Sequence, residues 1–255
     1  MVDIGPESGV SVIVGGTGGI GLALAQAQLR DETLNRLIVT HRPGKRSSGL
    51  EELALQYPAR VETLELDITD PTGLEHFARQ LAELENGVDT CIQAAGLLHD
   101  ENVFPEKSLE QCDPASLMRL FEVNSIGPLM VARALLAAQP RQQPFKFVAL
   151  SAMVGSIGDN RLGGWYGYRA SKAALNQFIK TLANECRTRF PRAAIMAIHP
   201  GTTDTSLSSP FQGNVPPERL YTPAQTAKRI LGVIESADRR SSGRFFNWDG
   251  SEIPW

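Results

Sequence analysis

Seven short apolar runs, separated by stretches of helical periodicity, restrict this chain more than any other feature. The runs are VSVIVGG at 10–16, RLIVTHR at 36–42, VETLELDIT at 61–69, VDTCIQAAG at 88–96, FKFVALSA at 145–152, AAIMAIHPG at 193–201 and GRFFNWDG at 243–250. Between them lie helical patterns at 22–29, 51–57, 74–84, about 114–136, 168–187 and 223–237. In the third of these, Leu74, Phe77, Leu81 and Leu84 recur at spacings of three and four, one face of an α-helix. The strand runs are continuous rather than alternating, the mark of strands buried on both faces of a parallel sheet. Strands that alternate with helices predict an α/β chain, doubly wound in the Rossmann manner. The expected sheet is seven-stranded and mainly parallel, with helices on both faces. No change of composition or Pro/Ser linker divides the chain, so a single domain over residues 1–255 is expected. The irregular stretches at 97–112, 155–165 and 202–221 are the long loops, and long loops in compact domains tend to be functional.

Composition narrows the functional classes. Apolar residues are 42% of the chain, enough for a substantial core. Twenty-five basic against 28 acidic residues leave a net charge of −3, which predicts no general attraction to nucleic acid or anionic lipid. Cys91, Cys112 and Cys186 form no CxxC, so neither a disulfide framework nor a zinc site is expected. His41, His76, His99 and His199 share no ligand spacing, and no metal is expected. No unbroken apolar stretch of about 18 residues exists and the first residues lack a basic region; a soluble cytoplasmic protein is the expectation.

The first strand runs into Gly15-Gly16-Thr17-Gly18-Gly19-Ile20-Gly21 and then a helix. Gly15 permits a sharp turn, Gly19 lets backbone approach a pyrophosphate, and Gly21 lets helix pack on strand. The helix N-terminus offers free N–H groups to phosphate. At the end of the second strand, Thr40-His41-Arg42 places a base where NAD sites carry an acid. Arg42 therefore favours the 2′-phosphate of NADP(H) over NAD(H). In Tyr168-Arg169-Ala170-Ser171-Lys172 a phenol and an ammonium lie four apart, on one helical face. The ammonium is expected to lower the tyrosine pKa and fit it for general acid–base chemistry on a carbonyl or alcohol oxygen.

GGTGGIG, QAAG, Asn124 in VNSIG, YRASK and HPGTTDT occur in that order across most of the chain. Together they resemble the short-chain dehydrogenase/reductases, and the stretch LSAMVGSIGDNRLGGWYGYRASKAALN is most similar to the C-factor-like and sniffer-type carbonyl reductases. The resemblance implies Tyr168 as proton donor, Lys172 as its cationic partner and Asn124 as holder of a relay water. It also implies that Thr17, Gly18 and Ile20 join the glycines at the cofactor. Asp67 and Ile68 would flank the adenine, with Ala94, Ala95 and Gly96 beside the cofactor and Pro200, Gly201, Thr203 and Thr205 at the nicotinamide end. Family members are commonly dimers or tetramers, which makes a homo-oligomer the expectation.

Three positions depart from the family pattern. Val14 stands where a threonine is usual, and QAAG replaces NNAG. The usual Ser-Ser pair reads Ser151-Ala152. Ser151 is expected to serve as the carbonyl-polarising hydroxyl, with Ser156 as second choice, although neighbouring strand residues point to opposite faces. Among the remaining residues, Asp70 reads as a helix cap, His99 as a surface loop residue, and Leu207 and Phe211 as apolar contacts in a lid at 202–221. The expected function is NADP-dependent transfer of hydride between nicotinamide and a carbonyl or alcohol substrate. Alternatives are a non-catalytic cofactor-binding regulator and an NAD-dependent alcohol dehydrogenase.

Overall fold

The computed structural model describes residues 9–255. The strands are β1 (Val10–Val14), β2 (Arg36–His41), β3 (Val61–Glu65), β4 (Thr90–Gln93), β5 (Lys146–Leu150), β6 (Ala194–His199), β7 (Thr202–Thr203), β8 (Leu220–Tyr221) and β9 (Phe245–Asn247). The helices are α1 (Gly19–Gln28), α2 (Ser48–Gln56), α3 (Pro71–Ala82), α4 (Pro114–Phe121), α5 (Gly127–Ala138), α6 (Tyr166–Arg189) and α7 (Pro223–Ser236). Seven strands form one sheet in the order β3-β2-β1-β4-β5-β6-β9. Every pairing in it is parallel, so the mainly parallel sheet of the sequence reading is wholly so.

The continuous apolar runs have the expected cause. Val12 and Val14 face one hydrophobic layer with α3, α5 and α6, while Ile13 faces the other with α1, α2 and α7. β5 does the same, with Phe147 and Ala149 on one side and Val148 and Leu150 on the other. Each inner strand is thus covered twice, so both sets of side chains are mainly apolar, and the buried polar exceptions Ser11, Thr40 and Gln93 are hydrogen-bonded. The caps agree with the composition: Asp70 accepts the Thr72 and Gly73 N–H groups at the start of α3, and Thr222 with Gln225 forms a capping box on α7.

Two features depart from the sequence reading. The segment 202–221 is a built element, with β7 paired to β8 and a 3₁₀ turn at Ser209–Asn214. Two-residue strands are too short for periodicity to reveal. The run Pro114–Ala138 is long and apolar enough to cross a bilayer by length and composition, its most apolar 18 residues reaching a mean hydropathy of 1.3, although no unbroken apolar stretch marks it. More than half of those 18 residues are buried, and the run packs on α3 and α6 as a core helix does. Within it, Glu122–Ile126 forms a π turn between α4 and α5.

The chain winds outward from β1 in both directions. The sheet order reverses between β1 and β4, and the loops at their carboxyl ends part there to leave a crevice.

Candidate active site

The crevice is a cleft of about 460 Å³ lined by Gly15, Thr17, Gly18, Gly19, Ile20, Gly21, Arg42, Asp67, Ile68, Ala94, Ala95, Gly96 and Thr205. These come from the ends of four strands and from segment 202–221, which the topology brings to one edge. Gly15 has φ +87°, and a β-carbon there would fall 2.8 Å from Ala95. A β-carbon at Gly21 would lie 2.1 Å from the Gly15 carbonyl oxygen, so the turn closes only with glycine at both positions. Thr40 Oγ1 accepts the Gly15 N–H at 3.2 Å. A hydroxyl from β2 thus meets the turn in a site whose preceding residue is Val14. Helix α1 has Gly18 as its N-cap with no side-chain cap, and Gly18, Gly19, Ile20 and Gly21 of this helix start line the cleft. An uncapped helix start behind a glycine cradle fits a dinucleotide pyrophosphate.

Arg42 lines the far end of the cleft with Asp67. Burial works to raise the Asp67 pKa, but the Thr69 N–H and hydroxyl, together with Arg119 and Arg42, hold it below the usual carboxylate value. Arg119, which the sequence reading did not single out, also lines the cleft and pairs with Glu122 at 2.6 Å.

At the other end of the cleft, α6, β5 and the π turn converge. A β-carbon at Gly96 would lie 3.4 Å from Asn124 Oδ1 and 3.6 Å from Lys172 Nζ. Lys172 Nζ is 5.8 Å from the centroid of the Tyr168 ring and donates to the Leu150 carbonyl at 2.9 Å. Asn124 is fully buried; its amide accepts the Leu97 N–H at 2.8 Å and donates to the Leu97 carbonyl and to Ser171 Oγ. Ser171 in turn donates to the Tyr168 carbonyl at 2.9 Å, so the loop after β4, the π turn and the tyrosine form one network. Ser171 was legible only as part of YxxxK. Gln93 Oε1 accepts the Ala95 N–H at 2.8 Å, a local brace within the QAAG turn.

Several expectations need correction. Ser151 is buried and its hydroxyl donates to Asn176 Oδ1 at 2.6 Å, while Ala152 packs in the apolar cluster around Tyr168. Both residues lie past the end of β5: Ser151 continues the Phe147 and Ala149 face onto α6 one turn beyond Lys172, and it is Ala152 that meets the Tyr168 cluster. Ser156 donates to the Pro254 carbonyl at 2.6 Å and tethers the C-terminus. The Tyr168 pKa is raised, not lowered, because burial outweighs an ammonium aimed at a carbonyl. Burial likewise pushes Lys172 down to about 8. Thr203 bonds Thr226 at 2.8 Å and, like Pro200 and Gly201, is not among the residues lining the cleft, whereas Thr205 is; the buried Tyr168, Lys172 and Asn124 do not line it either but lie behind Gly96, which does. His99 does line it, with Nε2 3.2 Å from the Ser206 carbonyl oxygen, where a surface loop was expected.

A doubly wound sheet with a dinucleotide cleft at its switch point, and a tyrosine and lysine at the cleft's end, defines a nucleotide-dependent oxidoreductase scaffold. Residues 9–215 match the model of the short chain dehydrogenase family, and the chain belongs to that family. It is 33% identical over 150 residues to the C-signal protein of Myxococcus xanthus, covering 58% of this chain and 84% of that one. The NADPH-bound carbonyl reductase from chicken fatty liver superposes with a TM-score of 0.85 at 24% identity, over 96% of this chain and 98% of that one. A carbonyl reductase from Pseudomonas aeruginosa PAO1 in complex with NADP gives 0.74 at 25%, over 96% and 99%.

Proposed function

We propose that this protein is an NADPH-dependent reductase of small carbonyl compounds, with Tyr168 as its general acid. The observation that carries the reading is the convergence of Tyr168, Lys172 and Asn124 beside Gly96, where the dinucleotide cleft ends. When bound, the nicotinamide cofactor supplies a hydride, two electrons for the carbonyl carbon. Tyr168 donates the proton to the carbonyl oxygen, and the product is the alcohol. Burial keeps the phenol protonated at neutral pH, so the proton is in place, but it also makes the phenol a weaker acid, which the neighbouring charge has to offset. Lys172 offsets the charge of the phenolate left behind, and the Asn124–Ser171 bonds fix the tyrosine's helical turn against the loop after β4.

The residues toward the cofactor fit NADPH. Arg42 in the cleft supports recognition of a 2′-phosphate, and the Pseudomonas aeruginosa relative was solved with NADP. Segment 202–221 supplies Thr205 and Leu207 to the cleft and would cover the substrate.

A second reading, a cofactor-binding protein that turns nothing over, is favoured by Ala152 in place of a polarising hydroxyl. One experiment separates the two. NADPH consumption is followed against a panel of aldehydes, ketones and quinones, with Tyr168→Phe in parallel. Turnover that falls about 10²–10⁴-fold in the variant supports the reductase. Equal turnover in both proteins excludes Tyr168 as the acid, and tight NADPH binding without turnover favours the second reading.

A further inference from the structure

The loop after β4 grips the start of α6 at two points, one on each side of Tyr168. On the far side, Asn124 bonds Leu97 and Ser171, and Ser171 bonds the Tyr168 carbonyl. On the near side stands Glu106, 3% exposed and outside that network. Its carbonyl accepts the Trp165 N–H, and its carboxylate Oε2 accepts the Gly167 N–H at 3.1 Å, so both bonds fall just ahead of the tyrosine. The fit leaves no slack. A β-carbon at Gly167 would lie 2.9 Å from Glu106 Oε1, 2.6 Å from Leu120 and 2.8 Å from Leu117, and one at Gly164 would lie 3.4 Å from the Glu106 carbonyl oxygen. Leu120 itself packs in the apolar cluster with Tyr168. The backbone at this point is strained: Trp165 carries a positive φ of 54°, alone among the described non-glycine residues, and Gly163 and Gly164 before it are positive too. Such a conformation persists only where its surroundings over-determine it, and it gathers at functional sites. It aims the Trp165 indole edge-on at Tyr168, 6.1 Å between centroids, and at Phe211, 5.1 Å away, part of a wall of rings beside the tyrosine. Arg169 holds the same bend by donating to the Gly163 and Gly164 carbonyls.

Burying a carboxylate is costly, and Oε1 has no hydrogen-bond partner. A serine or threonine at the N-cap would start a helix without that cost. What the carboxylate adds, reaching from 61 residues away in sequence, is a fixed separation between the helix start and the loop after β4. We infer that Glu106 is a positioning residue for the reduction: it holds the first turn of α6 against that loop and so fixes where the Tyr168 hydroxyl meets the substrate oxygen. The inference rests on the role of Tyr168 as general acid proposed above. Glu106 is not among the residues lining the cleft, so its removal leaves the cofactor contacts in place. A reacting group misplaced by about 1 Å loses on the order of 10²-fold in rate, with no loss of binding required.

The test compares wild type, Glu106→Ala and Glu106→Gln on a carbonyl that wild type reduces, well below the Tm of each. In Glu106→Ala, kcat is expected to fall about 10–100-fold while KM and the Kd for NADPH stay within about twofold. The solvent deuterium effect on kcat should rise, because proton transfer becomes the slower step. Glu106→Gln keeps an oxygen for the Gly167 N–H and should hold kcat within about threefold of wild type. Acrylamide quenching of Trp165, read as the part of the fluorescence that Trp165→Phe removes, should increase in Glu106→Ala and not in Glu106→Gln. If Glu106→Ala does not fold, Glu106→Asp, one methylene shorter, carries the same expectations. Unchanged kcat or unchanged Trp165 quenching in Glu106→Ala overturns the inference. So does a loss shared equally with NADPH affinity, which would mark a loosened site, or a Glu106→Gln as slow as Glu106→Ala. If wild type reduces no carbonyl, the reductase reading falls and takes the inference with it. If wild type reduces carbonyls and Glu106→Ala does so equally well, the inference alone falls.

Discussion

Lys172 is held where its charge is costly. Burial takes its pKa from the ordinary lysine range to about 8, with one carbonyl as hydrogen-bond partner. The unfolded chain therefore binds a proton that the folded chain releases between about pH 8 and the ordinary lysine value. While the raised pKa values of Cys91, Cys186 and Tyr168 work in the opposite direction as pH rises, Lys172 should contribute stability that increases with pH through that window, by up to about 3 kcal/mol at ~1.4 kcal/mol per pH unit. Half-buried Lys146 is shifted the same way, so the comparison that isolates Lys172 is guanidinium unfolding of wild type and Lys172→Met from pH 7.5 to 10. The stability of wild type relative to the variant should increase with pH; parallel profiles would mean that Lys172 does not titrate as placed. At this scale the sequence was legible where one residue type alone can do the work. The Gly15–Gly21 turn, Arg42, Asp67 and Gly96 all lie in the cleft. It was not legible where direction decides. Whether Ser151 or Ala152 faces the tyrosine depends on the strand's rotation, and Thr203 could be placed only once Thr226 was known to face it.

Among the elements, α6 depends on what sits at its first turn. Its N-cap is Trp165, which offers no side-chain cap, and the Glu106 carboxylate takes the Gly167 N–H instead while the Glu106 carbonyl takes that of Trp165. Glu106→Ala leaves a buried donor unpaired, a loss of about 1–3 kcal/mol, whereas Glu106→Gln keeps an acceptor and should lose less. Urea unfolding of both variants checks this, and equal losses would show that the carboxylate's charge at the helix start matters more than its hydrogen bond. Nothing in the sequence pointed to Glu106, because the loop at 97–112 has no period from which a partner could be read. The core helices and sheet strands were legible for the opposite reason, since burial on two faces or one face imposes a repeat. The π turn at Glu122–Ile126 was not, for its residues are helical by composition and only the backbone shifts register.

For the whole molecule, the cleft joins the two halves of the sheet at their switch point, so a ligand there ties together elements that are otherwise far apart in sequence. NADPH at a hundredfold excess over its Kd should stabilise the fold by about 2.7 kcal/mol, a rise in Tm of roughly 5–10 °C. Arg42→Ala should shrink that rise for NADPH and leave the rise for NADH unchanged; equal effects on both would remove Arg42 from cofactor choice. The segment after β6 reaches both halves of the site. Thr205 lies against Gly19, where a β-carbon would be 3.1 Å from its methyl group, and six residues later Phe211 closes on Trp165. One stretch of chain therefore rests on the phosphate cradle at one end and on the ring wall at the other. Anchored at both ends, it couples what fills the cradle to what fills the pocket. Turnover should follow a compulsory order, dinucleotide on first and off last. Product-inhibition kinetics would show it as oxidised cofactor competing with reduced cofactor alone, and random-order patterns would show that the two ends move independently.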